Sequence, residues 1–247
     1  MKKWLVPGII LGAVLCVVAP AGQVEAAISD SLPAAEMVIQ RYVDALGGRE
    51  AIQRLSTRVC MGRRTTDLDW TPPVCETVPI VTYSRVPGSL LIVEHTPHGI
   101  MCEGFDGTTW WAQHPGGVSR EGQPADPKLS WLINPHNALR LEDYFPGLRV
   151  TGQDYIDGGS VLVLEPIGLD RVYYSLYFDD ATGLLVRVGY YTVLQDYREV
   201  DGVKFPFRVS TSRQGGSTTY VFDLVAHNLP LDSSLFAVPT PAAMPGR

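Results

Sequence analysis

A mainly β fold with two helical interruptions is what this 247-residue sequence predicts, and three observations carry it. From residue 57 onward, segments rich in Val, Ile, Tyr, Leu and Thr alternate with the period of two that sets one face of a strand on a core. Gly, Pro and Asp-Gly breaks separate these segments, and Gly supplies the positive φ that tight antiparallel connections require. The segments number about a dozen, too many for one flat sheet, because accumulated twist makes so wide a sheet curl or split. A barrel or half-barrel is the natural solution.

Taken in order, residues 1–26 read as a cleavable signal peptide. Lys2 and Lys3 form a positive n-region, and Leu5 to Val18 form an apolar run broken only by Pro7 and Gly8. A membrane-spanning helix needs roughly 20 apolar residues. Here Pro20, Gly22, Gln23 and Glu25 end the run early. Val24-Glu25-Ala26 presents small or compact residues at the cleavage positions, with Ala19-Pro20-Ala21 as an alternative, so the mature domain is expected to span 27–239. Cys16 follows Val14-Leu15 rather than a small residue, which argues against a lipid anchor. Residues 240–247 (TPAAMPGR) read as a disordered tail.

Within the domain, Met37, Val38, Tyr42, Ala45 and Leu46 recur at helical spacing after a capping candidate at Ser31, and Gly47-Gly48 stops that helix. A second short helical turn is expected over 49–55. Strands are expected near 57–65, 74–85, 88–96, 99–105 and 108–114, with turns at Val86-Pro87-Gly88 and Asp106-Gly107. Segment 115–147 then interrupts the sheet, with a helical stretch near 129–144 whose apolar side is Leu129, Leu132, Ile133, Leu139 and Leu141. Strands resume at 148–156, 160–167, 171–178, 184–191, 194–201, 204–212 and 217–227.

The whole chain carries a net charge of −6, and loss of Lys2, Lys3 and Glu25 makes it about −7. Electrostatics therefore argue against nucleic acid and anionic lipid surfaces as partners. Cys60, Cys75 and Cys102 remain after cleavage, in a compartment where disulfides persist, so at most one pair closes internally. Cys60 and Cys75 flank a polar stretch that suits a hairpin loop, and a Cys60–Cys75 bridge is expected in preference to Cys75–Cys102.

Chemistry-bearing motifs are sparse. His95, His98 and Cys102, with His114 nearby, offer nitrogen and sulfur donors for zinc, but their spacing fits neither a zinc ribbon nor a helical metalloprotease motif. The plain reading is a polar turn beside a packed cysteine, and no metal site is expected. No GxSxG elbow, phosphate loop or dinucleotide fingerprint occurs. Asp106, Asp179 and Asp180 sit where turns favour Asp. Arg63-Arg64 read as charges guarding a sheet edge. No catalytic residue and no cofactor is expected.

Three sets of linked segments stand out in order along the chain: Arg85-Val86-Pro87-Gly88, then Gly104-Phe105-Asp106-Gly107 with Trp110-Trp111; Leu164-Glu165-Pro166, Tyr177-Phe178-Asp179 and Thr182-Gly183-Leu184-Leu185; and Asn228, Asp232, Phe236 and Pro239. Together they resemble the outer-membrane lipoprotein-sorting (LolA/LolB-like) superfamily. An added hairpin signature over 196–207 departs from the carrier type of that superfamily. The resemblance implies a half-open antiparallel β-barrel of about 11–12 strands with helical lid segments at 32–46 and 129–144. It also implies a monomeric periplasmic carrier or chaperone binding lipoprotein acyl chains or lipid in an apolar cavity, served by a membrane-bound donor or acceptor. The alternative is a sensor or interaction module that binds a protein partner with the same fold.

An acyl-chain cavity needs inward apolar positions, each buried methylene contributing about 0.8 kcal/mol. Strand alternation nominates Leu91, Val93, Ile100 and Trp110 in the first half. It nominates Leu162, Leu164, Tyr174, Leu176, Leu185, Val188, Tyr190 and Phe207 in the second, and Leu132 joins them from the helical stretch. Trp110 and Trp111 are adjacent on one strand and must face opposite sides, one to the interior and one to the surface or rim.

Overall fold

The computed structural model describes residues 32–121 and 127–239. Two helices open the described chain, α1 (Ala35–Ala45) and α2 (Arg49–Gln53). Six strands follow: β1 (Thr57–Leu68), β2 (Val74–Arg85), β3 (Ser89–Thr96), β4 (Gly99–Phe105), β5 (Trp110–His114) and β6 (Gly117–Glu121). A link of α3 (Pro127–Ile133), a 3-10 turn (Asn137–Arg140) and α4 (Leu141–Tyr144) leads to β7 (Arg149–Ile156) and β8 (Gly159–Glu165). After α5 (Arg171–Tyr174) come β9 (Leu176–Asp179), β10 (Leu185–Val188), β11 (Thr192–Val200), β12 (Val203–Arg213), β13 (Gly216–His227) and a 3-10 turn at Ser233–Phe236.

All thirteen strands form one antiparallel sheet in the order β6-β5-β4-β3-β2-β1-β13-β12-β11-β10-β9-β8-β7. The chain meanders from the centre to one edge, crosses by the helical link to the other, and meanders back until β13 pairs with β1. The sheet does not close, which is the expected half-open barrel. Register breaks at Met61/Gly62, Val150/Gly152 and Leu185/Arg187 add the local bend that curling requires. The β11–β12 hairpin shows how local chemistry sets a turn: Asp201 (φ 52°) and Gly202 (φ 77°) both take the left-handed conformation that a two-residue antiparallel turn demands.

The structure departs from expectation at several elements. Residues 171–174 are helix rather than strand, because the Asp170 carboxylate accepts Val172 N–H at 2.9 Å and starts a helical turn. Segment 115–147 contributes a further strand, β6, through a hairpin with β5. The helical stretch 129–144 is three short pieces, broken where Asn134 and Pro135 leave the helix. Helix α1 begins at Ala35 after Ala34, which provides no side-chain cap, and Ser31 lies outside the described residues, as do 1–26 and 240–247.

The expected Cys60–Cys75 bridge does not form. β1 and β2 continue to Leu68 and Val74, so Cys60 pairs with Thr82 while Cys75 pairs with Asp67, seven positions further along β1. At about 3.4 Å per residue this separation is several times the reach of a disulfide. Cys60, Cys75 and Cys102 are all free thiols. Arg63 and Arg64 lie on β1, a central strand, and guard no edge; Arg63 faces Asp223 at 3.6 Å, while Arg64 forks onto Glu94 at 2.7 and 3.0 Å.

Both faces of the sheet carry apolar clusters. On the concave face, α1 and α2 pack with Leu162, Leu164, Leu176, Phe178, Leu185 and Val188, while α3 packs with Ile80, Leu90, Ile92, Phe205, Phe207 and Phe222. Leu132 touches both clusters and joins the two halves of the interior. On the convex face, Leu91 and Trp111 lie beneath the C-terminal turn around Phe236, and Val161, Val163 and Tyr177 form a small separate cluster.

Candidate functional site

The concave face is the natural place to look for a ligand, and a helix of the chain itself occupies it. Leu129 and Ile133 of α3 are 2% and 0% exposed among strand side chains that come from β1, β2, β3, β12 and β13. Polar bonds hold the end of α3: Ser84 Oγ donates to Ile133 O at 2.8 Å, Arg58 Nη1 to Leu132 O at 3.3 Å and Asn137 Nδ2 to Trp131 O at 2.8 Å. These satisfy the carbonyls that a helix C-terminus leaves without partners. Two voids of about 30 and 40 Å³ flank Trp131 and Leu132, each large enough only for water. Around α3 the described residues therefore leave the interior no room for more than water.

Beside the plug lies an open cleft of about 640 Å³ between the β2–β3 turn, the β4–β5 turn and the α3–α4 link. Its apolar floor is Leu90 with Phe105 stacked on Trp110, ring centroids 4.7 Å apart. Asn134, Asn137, Arg140 and Tyr144 form the polar wall, where Tyr144 donates to Asn137 Oδ1 at 3.1 Å and Arg140 pairs with Asp143 at 2.7 Å. Ser130 Oγ and Trp131 Nε1, from residues lining this cleft, are buried without a hydrogen-bond partner.

The deepest charge in the site is Arg58, 4% exposed, whose Nε donates to His227 Nε2 at 2.9 Å and whose guanidinium lies 4.5 Å from the Phe205 ring centre. Burial lowers its pKa to about 10, so it stays charged at neutral pH. Burial, and then the Arg58 charge, lower His227 to about 4, with Asp201 at 3.1 Å opposing. Burial pushes the Cys60 thiol up to about 11, so the sulfur behaves as a packed apolar atom.

Of the nominated cavity residues, Trp110, Leu132, Leu162, Leu164, Leu176, Val188 and Phe207 do line the concave face, as does Leu185. Leu91 and Val93 face the convex side with Trp111. Ile100 is exposed on β4, Tyr174 is exposed on α5, and Tyr190 is exposed in the β10–β11 turn. The inward residues of β3 are Leu90 and Ile92. Parity misled here because Leu90 to Val93 is apolar throughout, with both faces covered. Gly104 offers the missing signal: it pairs with both Leu91 and Trp111, and a Cβ there would lie 2.3 Å from the Trp111 ring, so those three share the face opposite Trp110. Trp111 is buried rather than at a rim, its Nε1 donating to Phe236 O at 3.0 Å. His95 and His98 are exposed while Cys102 belongs to the convex cluster, and among the described residues no three His, Cys, Asp or Glu side chains converge as metal ligands.

A wide antiparallel sheet curled around its own helix, open between β6 and β7 among the described residues, defines a plugged half-barrel. No protein-family model matches the sequence, and no curated protein matches it. Solved structures do match in fold. A LolA superfamily protein from Nitrosomonas europaea aligns with TM-score 0.54 and 15% identity over 83% of this chain and 98% of its own. A DUF1329 family protein from Desulfovibrio piger aligns with TM-score 0.54 and 14% identity over 82% and 96%. An outer membrane lipoprotein-sorting protein domain from Vibrio parahaemolyticus gives TM-score 0.54 and 14% identity over 82% and 97%. The fold of this chain is LolA-like.

Proposed function

We propose that this protein is a periplasmic carrier or chaperone that encloses the acyl chains of a lipoprotein or lipid in the half-barrel interior once α3 withdraws. The observation that carries this reading is the position of Leu129, Leu132 and Ile133: they fill, with the chain's own side chains, the concave face of a sheet that never closes. Burial of three such side chains contributes roughly 6 kcal/mol, and an acyl chain burying about eight methylenes offsets that loss. Exchange of plug for cargo is then near balance, as a carrier that must both load and release requires. The open cleft gives access beside the plug, and Ser130 and Trp131 offer donors to the polar end of a ligand. The signal peptide read in residues 1–26 supplies the compartment, and the lipoprotein-sorting domain from Vibrio parahaemolyticus supplies a precedent on the same fold. Transfer of this kind needs binding and release but no covalent chemistry, so we assign no enzymatic step.

The test is purification of the mature chain, organic extraction with mass spectrometry for acyl chains, and titration with a fluorescent fatty-acyl probe. Co-purified lipid, or saturable probe binding at one site per chain, is the expected result. A protein that is reproducibly empty and takes up no probe removes the carrier reading.

A further inference from the structure

A line of hydrogen bonds through Asp201, His227 and Arg58 ends on the plug helix α3. Asp201, in the β11–β12 turn, stands 3.1 Å from His227 Nδ1, His227 Nε2 accepts from Arg58 Nε at 2.9 Å, and Arg58 Nη1 donates to Leu132 O at 3.3 Å. Arg58 and His227 are directly opposed across the β1–β13 ladder, and both are buried. Leu132 O is one of the carbonyls that the C-terminus of α3 leaves without a helical partner. The plug is thus tied at this end to a group that titrates.

The line holds in one protonation state of His227. Arg58 offers only donors, so Nε2 must be bare to accept, and the ring's proton lies on Nδ1 toward the Asp201 carboxylate. A second proton goes to Nε2. Two donors then meet at 2.9 Å, and two positive charges meet where water screens little. Asp201 attracts the imidazolium, but its side chain is 59% exposed and its pull is screened by solvent. The groups that face the pair from elsewhere do not compensate. Tyr42 of α1 and Cys60 of β1 keep their protons because burial raises both. Lys204 of β12 lines the same void as Arg58 with like charge, and the link after α3 contributes uncharged Asn134 and Asn137. The guanidinium keeps its charge, so it must swing away, and Nη1 leaves Leu132 O with it. The void of about 30 Å³ that Arg58 and Leu132 border lets water reach the broken bond.

We propose that the Arg58–His227 pair is a proton-operated latch on α3, holding the plug in the interior while the imidazole is neutral and releasing it when His227 takes a second proton. The latch rests on the displaceable α3 of the carrier reading and adds what triggers release, acidification of the surrounding medium. Seating α3 keeps His227 at a pKa of about 4, and release returns it toward the ordinary 6.5, so the released form binds the proton more tightly and gains as pH falls. Between pH 7 and pH 4 the ratio of released to seated α3 rises about 100-fold, and above pH 7 it is flat.

The experiment is fluorine NMR of the mature chain labelled with 5-fluorotryptophan, titrated from pH 7 to pH 4 beside the His227→Gln variant, whose side-chain carbonyl accepts from Arg58 and does not titrate. Trp131 lies on α3, while Trp111 is buried on the convex face and reports unfolding of the whole domain. Trp131→Phe assigns the α3 line. In wild type the Trp131 line is expected to move to its solvent-exposed position as pH falls while Trp111 stays in place, and in His227→Gln neither line moves. A Trp131 line that ignores pH in wild type overturns the latch, as does one that moves equally in the variant. Trp131 and Trp111 moving together overturn it as well, because acid then unfolds the domain rather than freeing α3. Uptake of an uncharged naphthylamine probe by the same samples separates the two readings. Trp131 release with no uptake removes carriage and leaves the latch, whereas equal uptake at pH 7 and pH 4 with Trp131 fixed removes the latch and leaves carriage.

Discussion

Arg58 takes a full charge into an apolar interior, which is tolerable only because its donors are used. Leu132 O and His227 accept from it and Phe205 faces it. Since Arg58 Nε donates, His227 accepts through a bare Nε2, and its Nδ1 proton goes to Asp201. A second proton would break that bond and set imidazolium against guanidinium. His227 therefore has a folded pKa of about 4, below the 6.5 of an unperturbed histidine. Between these values the unfolded chain binds the extra proton. Stability is then complete above about pH 6.5 and falls as pH drops toward 4, by at most about 3 kcal/mol from this group. The His227→Gln variant keeps an acceptor for Arg58 and a donor for Asp201, and it is expected to flatten this part of the curve in urea denaturation. A wild-type midpoint with no more slope than the variant's would count against the assignment. Nothing local in the sequence marks this cluster. Arg58 and His227 stand 169 positions apart and meet only because β1 pairs with β13.

Among the elements, α3 decides what the half-barrel can do. It has seven residues, too few for a stable isolated helix, and it persists because Leu129 and Ile133 are buried and its terminal carbonyls are bonded. Ile133→Ala is expected to lower unfolding stability by roughly 2–4 kcal/mol. If α3 is a displaceable plug, the same change tightens fatty-acyl probe binding, because the competitor for the interior has been weakened. Loss of stability with no gain in probe affinity would make α3 ordinary core. The apolar side of α3, Leu129, Leu132 and Ile133, was legible from spacing, and so were α1, α2 and most hairpins. The break at Asn134-Pro135 and the helical turn at 171–174 were not, since each follows from a few residues whose apolar pattern also suits a longer element.

For the molecule as a whole, the open sheet leaves β6 and β7 without outer strand partners among the described residues. The β7 edge is interrupted by the break at Val150/Gly152 and carries Arg149 and Asp154, features that discourage edge-to-edge pairing. A single monomeric species is expected in sedimentation equilibrium across the micromolar range, and a concentration-dependent dimer would show that an edge or face is in use. What the sequence determined by itself is the β class, the near-correct number of strands, the positions of the tight turns and the two helical interruptions. Those depend on period, capping and turn chemistry, which act over a few residues. Only the tertiary structure decided which parity of β3 faces inward, how far Cys60 lies from Cys75, that α3 fills the concave face, and that Arg58 reaches His227. Each of these rests on register or on covering both faces of the sheet, and such contacts join residues that no local pattern connects.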